Sequence, residues 1–225
     1  MNILTHLAVI ADGNGRWAER RGFSRTEGHE AGLHKIEDLM HWCVDLGIPV
    51  LSVYVFSLDN WKRPKEEVDH LGELANKYFD RYQEFKDNNI RVLISGVEDN
   101  FEPSTIEKIA RIQSETSQCT GLTLNLCANY SGRREIIDAI AKGARTQEEI
   151  TAALYHRLPP PDLIIRTGGH QRLSDFLLWQ AAYAELAFTY TLFPDLSFGE
   201  LKYLKANFET EERKFGGVII DQRTV

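Results

Sequence analysis

The sequence predicts a single α/β domain with a central, mostly parallel six-stranded sheet flanked by helices. Three observations carry that expectation. Short apolar, β-rich runs alternate along the 225 residues with longer segments of helical periodicity. Several of the runs are apolar on both faces of the pleat, as strands are when helices cover both sides of a parallel sheet. Glycines, small hydroxyls and arginines gather at the ends of the runs, and in open parallel sheets ligands bind beyond the carboxyl ends of the strands.

The elements follow in order. Residues 7–11 (LAVIA) form the first strand and stop at Asp12, where a polar turn, Asp12-Gly13-Asn14-Gly15-Arg16, follows. A helix over 28–46 leads to a second strand at 50–56 (VLSVYVF), whose end carries "SLDNWKRP" with Ser57, Asn60 and Arg63. A long helix over 64–88 places Val68, Leu71, Leu74, Ala75, Tyr78, Phe79, Tyr82 and Phe85 on one stripe, the pattern of a helix packed on a core. A strand at 90–95 and a helix at 103–117 precede the strand at 122–128, which ends in "NYSGR" with Asn129 and Arg133. Helices over 133–143 and 147–157 lead to the strand at 163–165, which runs into "RTGGHQRLS" with Arg166, Arg172 and Ser174. A helix over 172–184, a strand at 186–193 and a helix over 197–211 complete the chain. It holds no internal repeat, low-complexity tract or linker, so 1–225 reads as one domain.

Composition narrows the function. With 33 acidic against 26 basic residues, a net charge of −7 argues against non-specific nucleic-acid binding and makes the placement of the arginines informative. Cys43, Cys119 and Cys127 are odd in number and lack C-x-x-C spacing, which fits apolar fillers in a reducing cytoplasm. The first fifteen residues have neither a basic leader nor a long apolar stretch, and no segment is long enough to span a bilayer, so a soluble cytoplasmic protein is expected.

Arginines at successive strand ends of an acidic protein suit a ligand with phosphates. A guanidinium is a rigid, permanently charged fork that matches phosphate oxygens. Glycines admit close backbone approach, and N–H groups at a helix start favour anions. Neither G-x-x-x-x-G-K-[ST] nor the dinucleotide fingerprint occurs, so a nucleotide cradle is unsupported. A lone carboxylate, Asp12, among such arginines would repel the ligand unless a cation sits between them. Mg²⁺ is the expected mediator, because it uses one or two carboxylates together with substrate phosphates and water. Glu185 in "AYAEL" is a second candidate acid, with a plain exposed helix-end acid as its alternative reading.

The motifs "DGNGRWA", "GHEAG", "FSLDNWKRP", "GLTLNLCANYSGR", "IIRTGGHQRLSDFLLWQAAYAEL" and "ERKFGG" occur in one order between residues 6 and 217. In this order they resemble the cis-prenyltransferase family. The resemblance implies a homodimer, a hydrophobic tunnel between sheet and helices, and Mg²⁺-dependent condensation of an allylic prenyl diphosphate with isopentenyl diphosphate. It assigns Asp12 to Mg²⁺ on the allylic diphosphate, with Gly13, Asn14, Gly15, Arg16, Trp17, Arg25 and His29 lining that group; Asp12, Arg16, His29 and Asn60 are the expected catalytic residues. Arg166, Arg172 and Ser174 are expected on the second diphosphate. Glu185 contributes to the metal, from the same or a neighbouring subunit. Ser57, Asn60, Trp61 and Arg63 belong to a segment that closes over substrates, and Tyr78 and Phe79 are candidates for limiting product length.

Several positions depart from the family pattern. Ala11 stands in place of methionine, Leu58-Asp59 in place of a hydroxyl residue and glutamate, and His170 in place of glutamate. Asp175 replaces asparagine, Ala187 tyrosine and Lys214 arginine. Drift explains them, and so does retuned specificity. A short- or medium-chain head-to-tail synthase is therefore the first expectation. Irregular coupling of allylic diphosphates to a branched, lavandulyl-type product is the second. A non-catalytic diphosphate-binding subunit is disfavoured because Asp12, Arg16, Arg25, Arg166 and Arg172 are all present.

Overall fold

The backbone of a computed structural model, which describes residues 2–211, builds the sheet from six parallel strands in the order β3-β4-β2-β1-β5-β6. These are β1 (His6–Ile10), β2 (Val50–Ser57), β3 (Arg91–Ser95), β4 (Thr123–Tyr130), β5 (Leu163–Arg166) and β6 (Glu185–Phe188). Every residue of β1 and β5 is buried, as double-sided helical cover requires. One face, with Leu7, Val9, Leu51, Val53 and Ile165, joins the larger core; the other, with Ala8, Ile10, Tyr54, Cys127 and Ile164, joins a smaller one. Cys43 and Cys127 are buried thiols and Cys119 is half-buried; all three are free, as the sequence led us to expect.

Helices α2 (Arg25–Asp45), α3 (Lys65–Phe79), α4 (Tyr82–Asp87) and α5 (Pro103–Glu115) supply buried residues to the larger core. The start of α2 is set by a capping box: Ser24 Oγ accepts from Glu27 N–H, and the Glu27 carboxylate accepts from Ser24 N–H at 2.8 Å. The domain is completed by α6 (Gly132–Ala141), α7 (Gln147–Ala153) and α8 (Phe198–Thr210).

The structure corrects four expectations. The polar turn after the first strand is a helix, α1 (Asn14–Glu19). The helix expected over 64–88 is two helices, divided at Asp80-Arg81. No helix spans 172–184; only a 3₁₀ turn, Gln180–Tyr183, forms there. Ser174, Asp175 and Leu177 take left-handed φ values of 51°, 67° and 44°, so the chain cannot wind into a regular helix through them. The apolar density there serves packing instead: Phe176 stacks on Tyr54 with ring centroids 4.8 Å apart. The last strand is shorter than 186–193 because Thr189 and Thr191 turn back to accept from Gly169 and Gly168 N–H, both at 2.8 Å. The motif "ERKFGG", with Lys214, lies outside the described residues.

Beneath the sheet, a buried polar ladder crosses the strands. His6 Nδ1 lies 2.6 Å from Pro159 O and its Nε2 lies 2.8 Å from Ser52 Oγ. Asn125 Nδ2 donates to the same Ser52 oxygen at 3.0 Å. A carbonyl only accepts, so Nδ1 carries the proton and Nε2 accepts from the serine hydroxyl, the neutral tautomer. Burial pushes the His6 pKa down to about 4, despite the opposing carbonyl and the Asp162 charge. Above pH 6.5 the histidine is neutral in folded and unfolded chains alike. Between pH 6.5 and 4 only the unfolded chain takes up the proton, so folding loses up to about 3 kcal/mol as pH falls. Thermal melts from pH 7.5 to 4.5 should show this loss, and His6→Gln should flatten the slope.

Candidate active site

The β1 end, the β5 end and the segment leaving β6 meet at Asp12. The register sets Ile10 beside Arg166. Asp12 N–H donates to Thr167 Oγ1 at 3.0 Å, Thr167 Oγ1 donates to Asp12 O at 2.8 Å, and Phe193 N–H donates to the same carbonyl at 3.2 Å. The Asp12 backbone is therefore fixed from two sides. Gly13 follows at φ +119°, with Leu192 so close that a Cβ would lie 2.8 Å from its side chain. Glycine is required there by both conformation and space.

The Asp12 carboxylate is shared by two arginines. Arg16 Nη2 donates to Oδ1 at 2.9 Å, one helical turn away, while Arg166 Nη2 donates to Oδ2 at 2.8 Å from 154 residues away. Arg16 also donates to Gly168 O at 2.8 Å. Arg166 is 5% exposed, and its other terminal nitrogen donates to Arg172 O at 2.6 Å and Ser174 Oγ at 2.7 Å. Its buried Nε has no partner. Arg172 is exposed and, among the described residues, its guanidinium makes no ion pair.

A second charged cluster lies across α1, α2 and α3. Glu67 accepts from Arg25 Nε at 3.2 Å, from His29 Nε2 at 3.1 Å and from Arg63 Nη1 at 3.1 Å. Burial works against the Glu67 carboxylate, but bonds from Arg25 and His29 and the nearby arginine charges outweigh it and hold its pKa low. Burial pushes the His29 imidazole down more than Glu67 raises it. Arg25 packs on Gly15, where a Cβ would stand 2.7 Å from its guanidinium.

Between these clusters and the sheet opens a cavity of about 370 Å³. Ala11, Val55, Leu126 and Phe193 form its sheet side, and Leu33, Ile36, Leu71, Phe79 and Thr105 come from the helices above. Asn14 and His29 line it, so it opens toward the charged residues. Tyr78 and Phe79 line it as well and are buried.

The other expected residues are distributed unevenly. Trp61 lines the cavity and its indole N–H donates to Asn129 Oδ1 at 2.6 Å. Asn60 Oδ1 accepts from Ser57 N–H at 3.0 Å, so both shape the 3₁₀ turn Leu58–Lys62 that presents Trp61. Trp17 Nε1 donates to Asp195 Oδ1 at 2.7 Å, which ties α1 to the segment after β6. Glu185 stands apart. It is exposed and level with Leu163 and Leu7, at the opposite end of the strands from Asp12. Strand rise and spacing put the two acids at least about 14 Å apart, so one chain does not join them at one metal. Sequence reasoning missed Glu67, Thr167 and Asp195; the i,i+4 spacing of Arg63 and Glu67 was the available signal for the first.

Among the described residues no three His, Cys, Asp or Glu side chains converge on a point. The described residues alone therefore form no metal cage. One carboxylate flanked by arginines does fit a hard divalent cation that arrives with a diphosphate, because the phosphate oxygens and water then complete its shell.

A carboxylate between arginines beside an apolar cavity suits a ligand with an anionic head and an apolar tail, and comparison with known proteins gives the class. The family described as "Putative undecaprenyl diphosphate synthase" matches residues 10–216. An isoprenyl transferase of Thermotoga maritima is 41% identical over 97% of this chain and 99% of its own. One of Listeria innocua is 40% identical over 95% and 90%. Among solved structures, lavandulyl diphosphate synthase from Lavandula x intermedia in complex with dimethylallyl diphosphate superposes with a TM-score of 0.89 at 28% identity, covering 95% and 98% of the two chains. A probable undecaprenyl diphosphate synthase from Campylobacter jejuni gives 0.82 at 36%, covering 96% and 100%. The chain belongs to the undecaprenyl diphosphate synthase family, the cis-prenyltransferases.

The two arginines of "IIRTGGHQR" carry different structural weight. Arg166→Ala should lower stability by about 2–4 kcal/mol, because it removes a buried cation and its bonds to Asp12 Oδ2 and Ser174 Oγ. Arg172→Ala should leave the melting temperature within a degree. Paired thermal melts check both.

Proposed function

We propose that this prenyltransferase condenses an allylic diphosphate with isopentenyl diphosphate, with Mg²⁺, to a short- or medium-chain prenyl diphosphate. The observation that carries the reading is the Asp12 carboxylate, set between Arg16 and Arg166 at the polar end of an apolar cavity. Asp12 would hold the metal, and Arg16, Arg25, His29 and the Gly13-Asn14-Gly15 backbone would bind the allylic diphosphate. Arg166, Arg172 and Ser174 would bind the second diphosphate. Mg²⁺, when bound, supplies positive charge that stabilises the departing diphosphate.

The side chains do the rest. Departure of diphosphate from an allylic carbon leaves a delocalised cation, and preorganised guanidinium groups stabilise the charge that builds on the leaving oxygens. The attacking alkene needs placement more than activation, which the cavity wall and the Trp61 indole supply. The proton shed after C–C bond formation goes to a diphosphate oxygen. Asn60, the polar group expected there, has a non-basic amide whose oxygen already accepts from Ser57 N–H.

A homodimer is part of this proposal. Among the described residues edge strand β6 pairs only with β5, and Leu186 within it and Tyr190 beside it are 45% and 86% exposed. An exposed apolar edge of this kind suits a second copy. Glu185, remote from Asp12 in its own chain, would then face the neighbour.

The likeness to lavandulyl diphosphate synthase and the small Ala11 side chain on the cavity wall support a second reading, coupling of two allylic diphosphates. Mass spectrometry of products from dimethylallyl diphosphate, with and without isopentenyl diphosphate, decides between them. The first reading expects a product only when isopentenyl diphosphate and Mg²⁺ are both present. A branched product from dimethylallyl diphosphate alone establishes the second. In either case Asp12→Ala should lower turnover about 10²–10³-fold.

Gly72 tests the role of the cavity. It sits inside α3, where glycine is about 1 kcal/mol worse than alanine, and a Cβ there would meet no atom within 4 Å. Gly72→Ala should raise the melting temperature by about 2–4 °C. Gly72→Phe, which fills the wall of the cavity, should lower turnover of longer allylic substrates more than of dimethylallyl diphosphate.

A further inference from the structure

Arg25 and His29 lie in the first two turns of α2, and Arg63 immediately precedes α3, so the two sides face each other across one edge of the cavity mouth. All three converge on a single carboxylate, Glu67. Among the described residues it is the one acid bonded to His29 and to Arg63. The Glu67 side chain is only 12% exposed, whereas that of Arg25 is 50% exposed and reaches over Gly15, toward the amino end of α1. The carboxylate accepts only, so His29 Nε2 carries the proton it shares with Glu67. Glu67 also lies in the first turn of α3, where the helix favours a negative charge.

The arrangement is one that suits a diphosphate: two guanidinium forks and an imidazole N–H aimed at one anionic group, with Arg25 also donating to Glu19 Oε1 at 3.0 Å on its exposed side. We propose that Glu67 is an internal competitor for the substrate diphosphate, occupying Arg25, His29 and Arg63 in the empty enzyme and giving them up when the diphosphate binds. The inference rests on reading this region as a diphosphate site. It adds that the affinity of the site is set by an exchange of anions. The same exchange couples filling of the site to the contact between α2 and α3, because Glu67 is the link that joins the two helices at the mouth. Glu67 is on this view a positioning residue that acts through the three cations.

Inorganic pyrophosphate is the probe, titrated calorimetrically into the full-length protein at pH 7.5. Wild type should bind it, and Glu67→Gln, which keeps the shape and removes the charge, should bind at least fivefold more tightly. Glu67→Asp keeps the charge and should stay within twofold of wild type. The tightening should vanish in Glu67→Gln/Arg25→Ala, which places it at this cluster. A purely structural Glu67 would give the opposite sign, weaker binding in Glu67→Gln, and that result overturns the proposal, as does affinity unchanged within twofold. Equal tightening in Glu67→Asp overturns it too, because charge would then not be the cause. If neither wild type nor Glu67→Gln binds pyrophosphate, the diphosphate reading itself fails and this inference falls with it. Should Glu67→Gln melt below the assay temperature, Glu67→Ser is measured by the same criterion and decides in its place.

Discussion

A single carboxylate holds the architecture of the site together. Asp12 receives one arginine from the first turn of the helix that follows it and another from a strand 154 residues further on. The distant contact exists only because β1 and β5 are neighbours in register, with Ile10 beside Arg166. Parallel neighbours bring their carboxyl ends to the same side, so a strand-end acid and a strand-end arginine meet without any special loop. The remaining contacts follow from that meeting. Thr167, one residue beyond Arg166, bonds both backbone groups of Asp12, and Phe193 closes the same carbonyl from the segment after β6. Both arginines are engaged with Asp12 before any ligand arrives, and a ligand that takes either must therefore exchange partners with the carboxylate.

The two faces of the sheet divide the labour. One face is sealed by aromatic packing, Tyr54 against Phe176 and Tyr130, beside a polar ladder whose Ser52 hydroxyl is buried between His6 and Asn125. The other carries the larger core, and there the helices stand off enough to leave a cavity. α1 comes close to α2 because Gly28 and Gly32 lie beneath it; a Cβ on either would stand 2.3–2.5 Å from Asn14. Those two glycines, four apart on one helix face, let the chain after β1 lie flat enough to keep Asp12 and Asn14 at the mouth.

Much of this was legible in the sequence. The six strands were visible because buried parallel strands read as continuous apolar runs. The strand-end arginines were visible because cations are conspicuous in an acidic chain. α1 was not, since Gly-Asn-Gly reads as a turn; its helix depends on a left-handed Gly13 and on packing against α2, neither of which local propensity reports. The segment 172–184 misled in the opposite direction. Its apolar spacing suits a helix, yet its residues pack into the smaller core from an irregular backbone held by bonds to Arg166 and to the start of α6. Glu67 is marked locally by nothing more than its i,i+4 spacing from Arg63. Only the tertiary approach of α2 to α3 puts three cations on it.

The structure also sorts the positions that depart from the family pattern, because each does something different. Asp175 is structural: its carboxylate accepts from Ser131 Oγ and, at 3.1 Å, from Arg133 N–H, and its carbonyl accepts from Gly132 N–H at 2.8 Å. An acid at the amino end of α6 is favoured by the helix dipole, so aspartate there needs no change of substrate to explain it. Asp59 is exposed and paired with Lys62, three residues on in the same turn. His170 is exposed in the loop after β5, and Ala187 packs against the larger core. Ala11 alone among them lies on the cavity wall, next to the acid that anchors the site. A smaller side chain at that one position widens the space beside Asp12 without disturbing a hydrogen bond, since the neighbouring contacts run through the Asp12 backbone and carboxylate. Among the departures that the described residues include, Ala11 is the one that bears on the cavity, one residue before Asp12, while Asp59 and Asp175 follow local pairing and capping.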